Sequence, residues 1–295
     1  MHALAEARPG SPVLGLALAA LAAVLFALGA VLQHEAAALS TTHEGLSLRR
    51  LMKRRRWMLG QSATMLGTGS QVAALAIAPV AVVQPMLAVT LVFGLGLRAL
   101  RTRQAPLLLE LVGVALTTGG LAVFLVAAQP AATTHEPPPS TLEIVIAVGV
   151  SVALVGAATL LGHGAHGALA CGSAAGIAAG IAAVLISVGI RGLREQGWVH
   201  ALAGVAVWGA VVVAGVAILA GQQAYARGSL AWSLPALILL DPLSAVPAAR
   251  LLLGERLEPG HAAVWVPAAA VAAIGVVVLA RTGEPHAHED AQPIA

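Results

Sequence analysis

GSLAWSLPALILLDPLSAVPAARLLLGERLEPG, residues Gly228 to Gly260, has the length and apolarity of one membrane-spanning helix, yet holds Pro235, Pro242, Pro247 and, about halfway along, Asp241. Lipid offers no water to a carboxylate or to carbonyls that proline frees, so such a segment must pack in protein or line a wet cavity. Counting from Leu230 at about 1.5 Å per residue puts Asp241 roughly 16 Å deep, near the middle of a hydrocarbon core of about 30 Å. Two readings of Asp241-Pro242 are compatible. Asp at an N-cap followed by Pro at the first helical position is how a helix restarts after a break. A carboxylate at that depth, however, costs at least about 2.5–3.5 kcal/mol, more than the roughly 1 kcal/mol an N-cap returns. The balance favours a functional charge that binds a cation or carries a coupling proton.

The rest of the chain is of the same kind. Of 295 residues, 59% are hydrophobic and 10% charged, and apolar runs of spanning length recur from end to end, which makes this a polytopic membrane protein. Aromatic residues are only 3%, and small residues fill the helices, which suits close backbone approach in lipid. The single cysteine, Cys171, excludes an intramolecular disulfide and a thiolate metal cluster, and no cofactor is expected. The formal charge of +3 comes mostly from Arg49, Arg50, Lys53, Arg54, Arg55 and Arg56, directly before an apolar helix. That run reads as a positive-inside signal rather than a nucleic-acid site.

Working outward, spans are expected at about Val13–Gln33, Trp57–Ala78, Val80–Leu100, Pro106–Ala127, Leu142–Leu161, Ala168–Ile190, His200–Gln222, the opening stretch, and Ala262–Ala280. The expected fold class is thus an all-α integral membrane protein of about nine transmembrane helices in two inverted-repeat halves. Residues 1–12 form an N-terminal tail. Residues 13–128 form a first repeat of four helices with a basic loop at 36–56, in which an interfacial piece fits. Residues 129–141 are an extracytoplasmic loop, 142–281 a second repeat of five helices, and 282–295 a disordered tail. Spans two and three meet at Ala78-Pro79 in a tight hairpin. The second basic cluster, Arg98, Arg101 and Arg103, should lie on the side of residues 49–56. With both clusters cytoplasmic, the N-terminus lies outside and the C-terminus inside, in the plasma membrane. The second half follows the charge rule poorly, with Arg191, Arg194, Arg250 and Arg256 on the expected outer face.

A repeat is visible between APVAVVQPMLAV (Ala78 to Val89) and GSLAWSLPALIL (Gly228 to Leu239), with Pro85 and Pro235 each seven residues from the opening and about 150 residues apart. Matching QPMLAV with DPLSAV shifts the register by about a turn, and both pairings stay open. Either way two proline-bearing helices run in opposite directions, the pattern of an inverted repeat whose site lies near the midplane. The stretch AYARGSLAWSLPALILLDPLSAVPAARLLLGERLEP (224–259), ending in the loop Gly254-Glu255-Arg256-Leu257, resembles the drug/metabolite transporter superfamily, EamA type. The first half, with LFALGAVLQ (25–33), RRRW (54–57) and ALAIAPVAVVQPMLAV (74–89), is similar to the NIPA-type branch, except that Arg101-Thr102-Arg103-Gln104 stands where a Gly-Glu loop would. The resemblance implies a transporter, and the NIPA branch implies magnesium.

The candidate substrate-binding residues are Asp241, Gln84, Gln71 and Gln222, the last three being amides within or at the ends of apolar helices that line a path or bond neighbouring helices. Pro85, Pro235 and Pro242 are the expected helix breaks. Gln33, His34 and Glu35, where the first span leaves the apolar zone, form a candidate vestibule. Gly172, Gly176 and Gly180 give a small-residue face for a neighbouring helix, and Glu110 reads as a cap in the first turn of its helix. His163 and His166 sit among three glycines and are expected in a loop. The metal ligands, if any, are unknown: one aspartate with amides and carbonyls is a thin set for a bare divalent ion. No P-loop, HExxH or paired acid supports nucleotide-driven pumping or enzymatic activity. The expectation is a secondary transporter of a small cation, magnesium or organic, or of a metabolite, with alternating access around two proline-broken helices. A non-transporting scaffold, or less readily an intramembrane enzyme, is the alternative. Its partners would be the lipid bilayer and the small-molecule or cation substrate, with a homodimer as a further assembly.

Overall fold

The computed structural model describes residues 12–42, 45–77, 83, 86–127, 130–131, 138–254, 256–257 and 262–282. The expected Ala78-Pro79 hairpin, Gln84, Pro85, Glu255 and the tail beyond residue 282 lie outside the described residues. Among the described residues seven helices are long and apolar enough to cross a membrane, as expected of an all-α, multi-pass membrane protein. Of the two remaining spans, the helix over Arg55–Ile77 carries Gln61, Ser62, Thr64, Thr68, Ser70 and Gln71 and is not among the seven. The other, at 80–100, is described mainly from Thr90 onward.

The chain divides into two compact units, residues 1–127 with 264–278, and residues 128–263 with 279–295. The central part of the last helix therefore belongs to the first unit.

In the first unit, α1 (Pro12–Ala38) packs along α3 (Arg55–Ile77), joined by the strands β1 (Thr41–Thr42) and β2 (Gly45–Leu46) and the short helix α2 (Leu48–Met52). The α1–α3 seam is made of small residues. A methyl carbon placed on Gly60 would stand 3.0 Å from the carbonyl oxygen of Gly29, so the backbones touch. Helix α4 (Thr90–Thr102) also packs on α1, and α5 (Leu108–Ala127) meets residues 264–278 of α11 (Ala262–Thr282) through Gly120 and Gly275. A methyl carbon on Gly120 would lie 2.6 Å from the Ala272 nitrogen.

Helix α1 runs five residues past the expected exit at Gln33, so Gln33, His34 and Glu35 are inside a helix. The physical reason is that their polar groups are satisfied there. Gln33 Nε2 donates to Thr64 Oγ1 at 3.0 Å, and Glu35 is ion-paired, as described below. Helix α4 stops at Arg103, the one non-glycine residue with positive φ (56°) among those described.

In the second unit, α6 (Thr141–Leu161) opens with a capping box in which Ser140 Oγ accepts from the Glu143 N–H and the Glu143 carboxylate accepts from the Ser140 N–H. Helix α7 (Gly164–Gln196) is the hub, packing on α6, on α9 (Val205–Arg227) and on α10 (Leu230–Leu253), with the short α8 (Trp198–Ala203) between α7 and α9. Over its most apolar stretch α7 is 56% buried, against 17% for α6, whose exposed Leu142, Val145, Ile146 and Leu160 suit contact with lipid. Strand β3 (Pro130–Ala131) pairs antiparallel with β4 (Arg256–Leu257). Residues 130–131 and 256–257 thus share one end of this unit, a link that neither segment reveals alone.

The expected loop at 162–167 is replaced by an early start of α7. His163 is its N-cap and His166 lies in the first turn, its ring centroid 5.9 Å from that of Trp232. Gly162 and Gly167 approach closely, a methyl carbon on Gly162 falling 2.8 Å from Gly167 Cα, and that tight turn leaves no room for a loop.

Helix α10 is the largest departure. It runs unbroken from Leu230 to Leu253 through Pro235, Pro242 and Pro247, with Ser229 as its N-cap, so Asp241 is not the cap of a restarted helix. Proline fits helical φ and removes one N–H each time, a loss that packed membrane helices tolerate. The helix ends at Gly254 in the left-handed conformation (φ 65°), whose N–H donates to the Ala249 carbonyl.

Candidate functional site

The site is built by the α7–α10 pair. Gly172, Gly176 and Gly180 recur every four residues, which on a helix makes one face, and that face lies against α10. A methyl carbon would stand 2.7 Å from the Ser233 carbonyl oxygen at Gly172 and 2.5 Å from that of Leu237 at Gly176. At Gly180 it would run into the Asp241 carbonyl oxygen and Ser244 Oγ. The glycine face expected to be structural is therefore the surface on which the Asp241 turn rests. Ser244 locks the same turn, its hydroxyl lying 3.2 Å from the Ile177 carbonyl of α7 and 3.0 Å from the Asp241 carbonyl.

Asp241 itself is partly exposed in the middle of α10, and among the described residues its carboxylate has no hydrogen-bond or ion-pair partner. Leu237, Ile238, Leu240 and Pro242 beside it are likewise partly exposed, whereas Trp232 to Ala236 one to two turns earlier are buried. Pro235 thus lies among buried residues and Pro242 among partly exposed ones. Gln222, 3% exposed, sits in α9, whose neighbour Gly221 faces Leu237 of α10.

The first unit holds the other candidates. Gln71 is half-buried in α3, and Gln33 is 6% exposed between α1 and α3. Glu35 receives Arg56 Nη1 at 3.1 Å and Arg101 Nε at 2.8 Å, so one carboxylate gathers both basic clusters, as expected for clusters on one side. Its partners make it a tie between α1, α3 and α4. Glu110 is both the cap that was expected and more: its carboxylate accepts from the Leu107 N–H at 3.0 Å and from Arg98 Nη2 at 2.6 Å. Asp241, Gln222, Pro235 and Pro242 belong to one unit and Gln33, His34, Glu35 and Gln71 to the other.

Sequence reasoning passed over Arg227. At the end of α9 its guanidinium donates to the carbonyls of Ala158, Thr159 and Gly162, closing the C-terminal end of α6. A cation at a helix C-terminus is favoured by the dipole. The signal was a lone arginine at a helix end, with no hint of which helix it serves.

Among the described residues no three His, Cys, Asp or Glu side chains gather as a metal centre. A cavity of about 520 Å³ between α7, α8 and α9 is lined by Ile190, Leu193, Trp198, Leu202, Val211 and their apolar neighbours, and none of the candidate polar residues lines it. No family model, curated protein or solved structure matches this chain.

Proposed function

We propose that this protein is a secondary transporter that moves a small cation or metabolite by alternating access, with Asp241 as the charge met by the substrate or its coupling ion. One observation carries the reading: a carboxylate stands mid-span in an apolar helix, partly exposed and without a partner among the described residues, on a backbone fixed by glycine contacts and Ser244. A buried charge that stabilises a fold is paired; one left open in a membrane helix marks a path for ions or substrates.

The wider scheme is nine spans in two inverted halves, as in the EamA-type drug/metabolite transporters and their NIPA-type branch, which the loop and proline motifs resemble. A structural parallel supports it. Arg103 ends α4 and Gly254 ends α10 in the same left-handed conformation, 151 positions apart, close to the offset between Pro85 and Pro235. An arginine stands in the first half where the second has the glycine suited to that conformation. In the plasma membrane, the end where Arg56 and Arg101 converge on Glu35 would face the cytoplasm, leaving the N-terminus outside.

The test begins with purified protein screened by thermal shift against magnesium, sodium, quaternary ammonium ions and polar metabolites, since a ligand of the folded state raises its stability. Compounds that stabilise it are then offered to proteoliposomes. Wild-type vesicles should accumulate at least one, and Asp241→Asn should abolish that uptake. Uptake left intact by Asp241→Asn removes the site assignment, and a protein that moves none of them is a scaffold.

A further inference from the structure

Helix α10 offers more than a carboxylate at this point. Pro242 has no N–H, so the Ile238 carbonyl, four residues earlier, lacks its helical donor. A backbone carbonyl in a membrane needs a partner. The group placed to share one with it is Asp241, three residues on. That separation brings side chain and carbonyl together elsewhere in this chain: Ser244 Oγ lies 3.0 Å from the Asp241 carbonyl oxygen, and Thr282 Oγ1 lies 2.8 Å from that of Leu279. An aspartate reaches one atom further than a serine, which leaves space for an ion between the two oxygens. Ile238, Asp241 and Pro242 are all partly exposed.

We propose that the Asp241 carboxylate and the Ile238 carbonyl together bind a monovalent metal cation of sodium size; this rests on reading Asp241 as the functional charge. Charge balance selects the valence. One carboxylate neutralises one positive charge, while a divalent ion would keep a net charge in a low-dielectric setting, where an uncompensated charge costs several kcal/mol. Divalent ions also demand more oxygen ligands, and among the described residues no group of three His, Cys, Asp or Glu side chains gathers around Asp241. Freed backbone carbonyls are how interrupted transporter helices hold a coupling ion. Here a single proline would achieve it without unwinding the helix. The remaining ligands are water.

The test uses the full chain in detergent, at fixed pH, with sodium chloride replacing N-methyl-D-glucamine chloride at constant ionic strength while the melting temperature is followed. The wild type should gain stability with sodium, and Asp241→Asn should lose that response. Pro242→Ala restores the N–H to the Ile238 carbonyl and keeps the carboxylate, so the half-saturating sodium concentration should rise about tenfold, the scale of one lost ligand. Pro247→Ala restores a donor to Leu243 instead, about 140° around the helix from Ile238, and should leave the response unchanged. Should Asp241→Asn fail to purify, Asp241→Ser replaces it. A wild-type sodium response in Pro242→Ala, with loss in Asp241→Asn, overturns the carbonyl's role and leaves the Asp241 reading standing. A response that survives in Asp241→Asn overturns both. No sodium response in the wild type overturns the choice of ion.

Discussion

The α1–α3 pair and the α7–α10 pair are packed by the same device and differ in what they do with polar groups. Both seams bring backbones together through glycine, Gly29 and Gly60 in one, Gly172, Gly176 and Gly180 in the other. Along α1–α3 three polar side chains are spent on the fold: Gln33 bonds Thr64, Ser70 donates to the Leu18 carbonyl at 2.9 Å, and Glu35 holds two arginines. Along α7–α10 Ser244 is spent the same way, but Asp241 is left open among the described residues. Polar residues in apolar helices therefore do not share one meaning. Those with partners are joints, and the acidic one left open in mid-helix is the candidate site.

That contrast can be broken most forcefully at the glycines. Gly180→Leu would drive a side chain into the Asp241 carbonyl and Ser244, whereas nothing lies within 4 Å of a methyl carbon added at Gly149 on α6. Overpacking a fixed backbone contact costs about 3 kcal/mol or more, so Gly180→Leu should lose most monodisperse protein on size-exclusion chromatography while Gly149→Leu behaves as wild type. Equal behaviour would mean the α7–α10 seam is not tight.

The next effect separates two joints of the first unit. Glu110 is 3% exposed and pairs with Arg98, whereas Glu35 keeps a quarter of its side chain exposed and its arginines are more open still. Breaking a buried pair leaves an uncompensated charge, so Glu110→Gln should lower stability by about 2–3 kcal/mol. Glu35→Gln should lose about 1 kcal/mol or less, a loss that added salt reduces. Thermal melts at low and high salt resolve the two, and a Glu35 effect that ignores salt would show that its carboxylate is not a surface tie.

Much of this organisation was legible in the chain. The four-residue glycine spacing forecast a helix seam, the depth of Asp241 marked a charge out of place, and Glu110 announced itself as a cap. What remained hidden was always a long-range partner. Gln33 and Glu35 looked like the polar exit of a helix because Thr64, Arg56 and Arg101 are distant in sequence, and with those partners the helix continues to Ala38. Pro242 looked like a break because local propensity forbids proline inside a helix, while packing on α7 keeps α10 continuous. Arg227 was invisible as a cap because the carbonyls it serves lie 65 to 69 residues away.

The central claim, that Asp241 is held for function and not for the fold, is met most directly by the stability of Asp241→Asn in sodium-free N-methyl-D-glucamine buffer. Neutralising an unpartnered carboxylate in an apolar helix removes a penalty of about 2.5–3.5 kcal/mol on insertion scales, part of which detergent and water already relieve. The account predicts a variant that melts at or above the wild-type temperature. A clear fall in melting temperature, of the size seen for Glu110→Gln, would show that Asp241 is another joint.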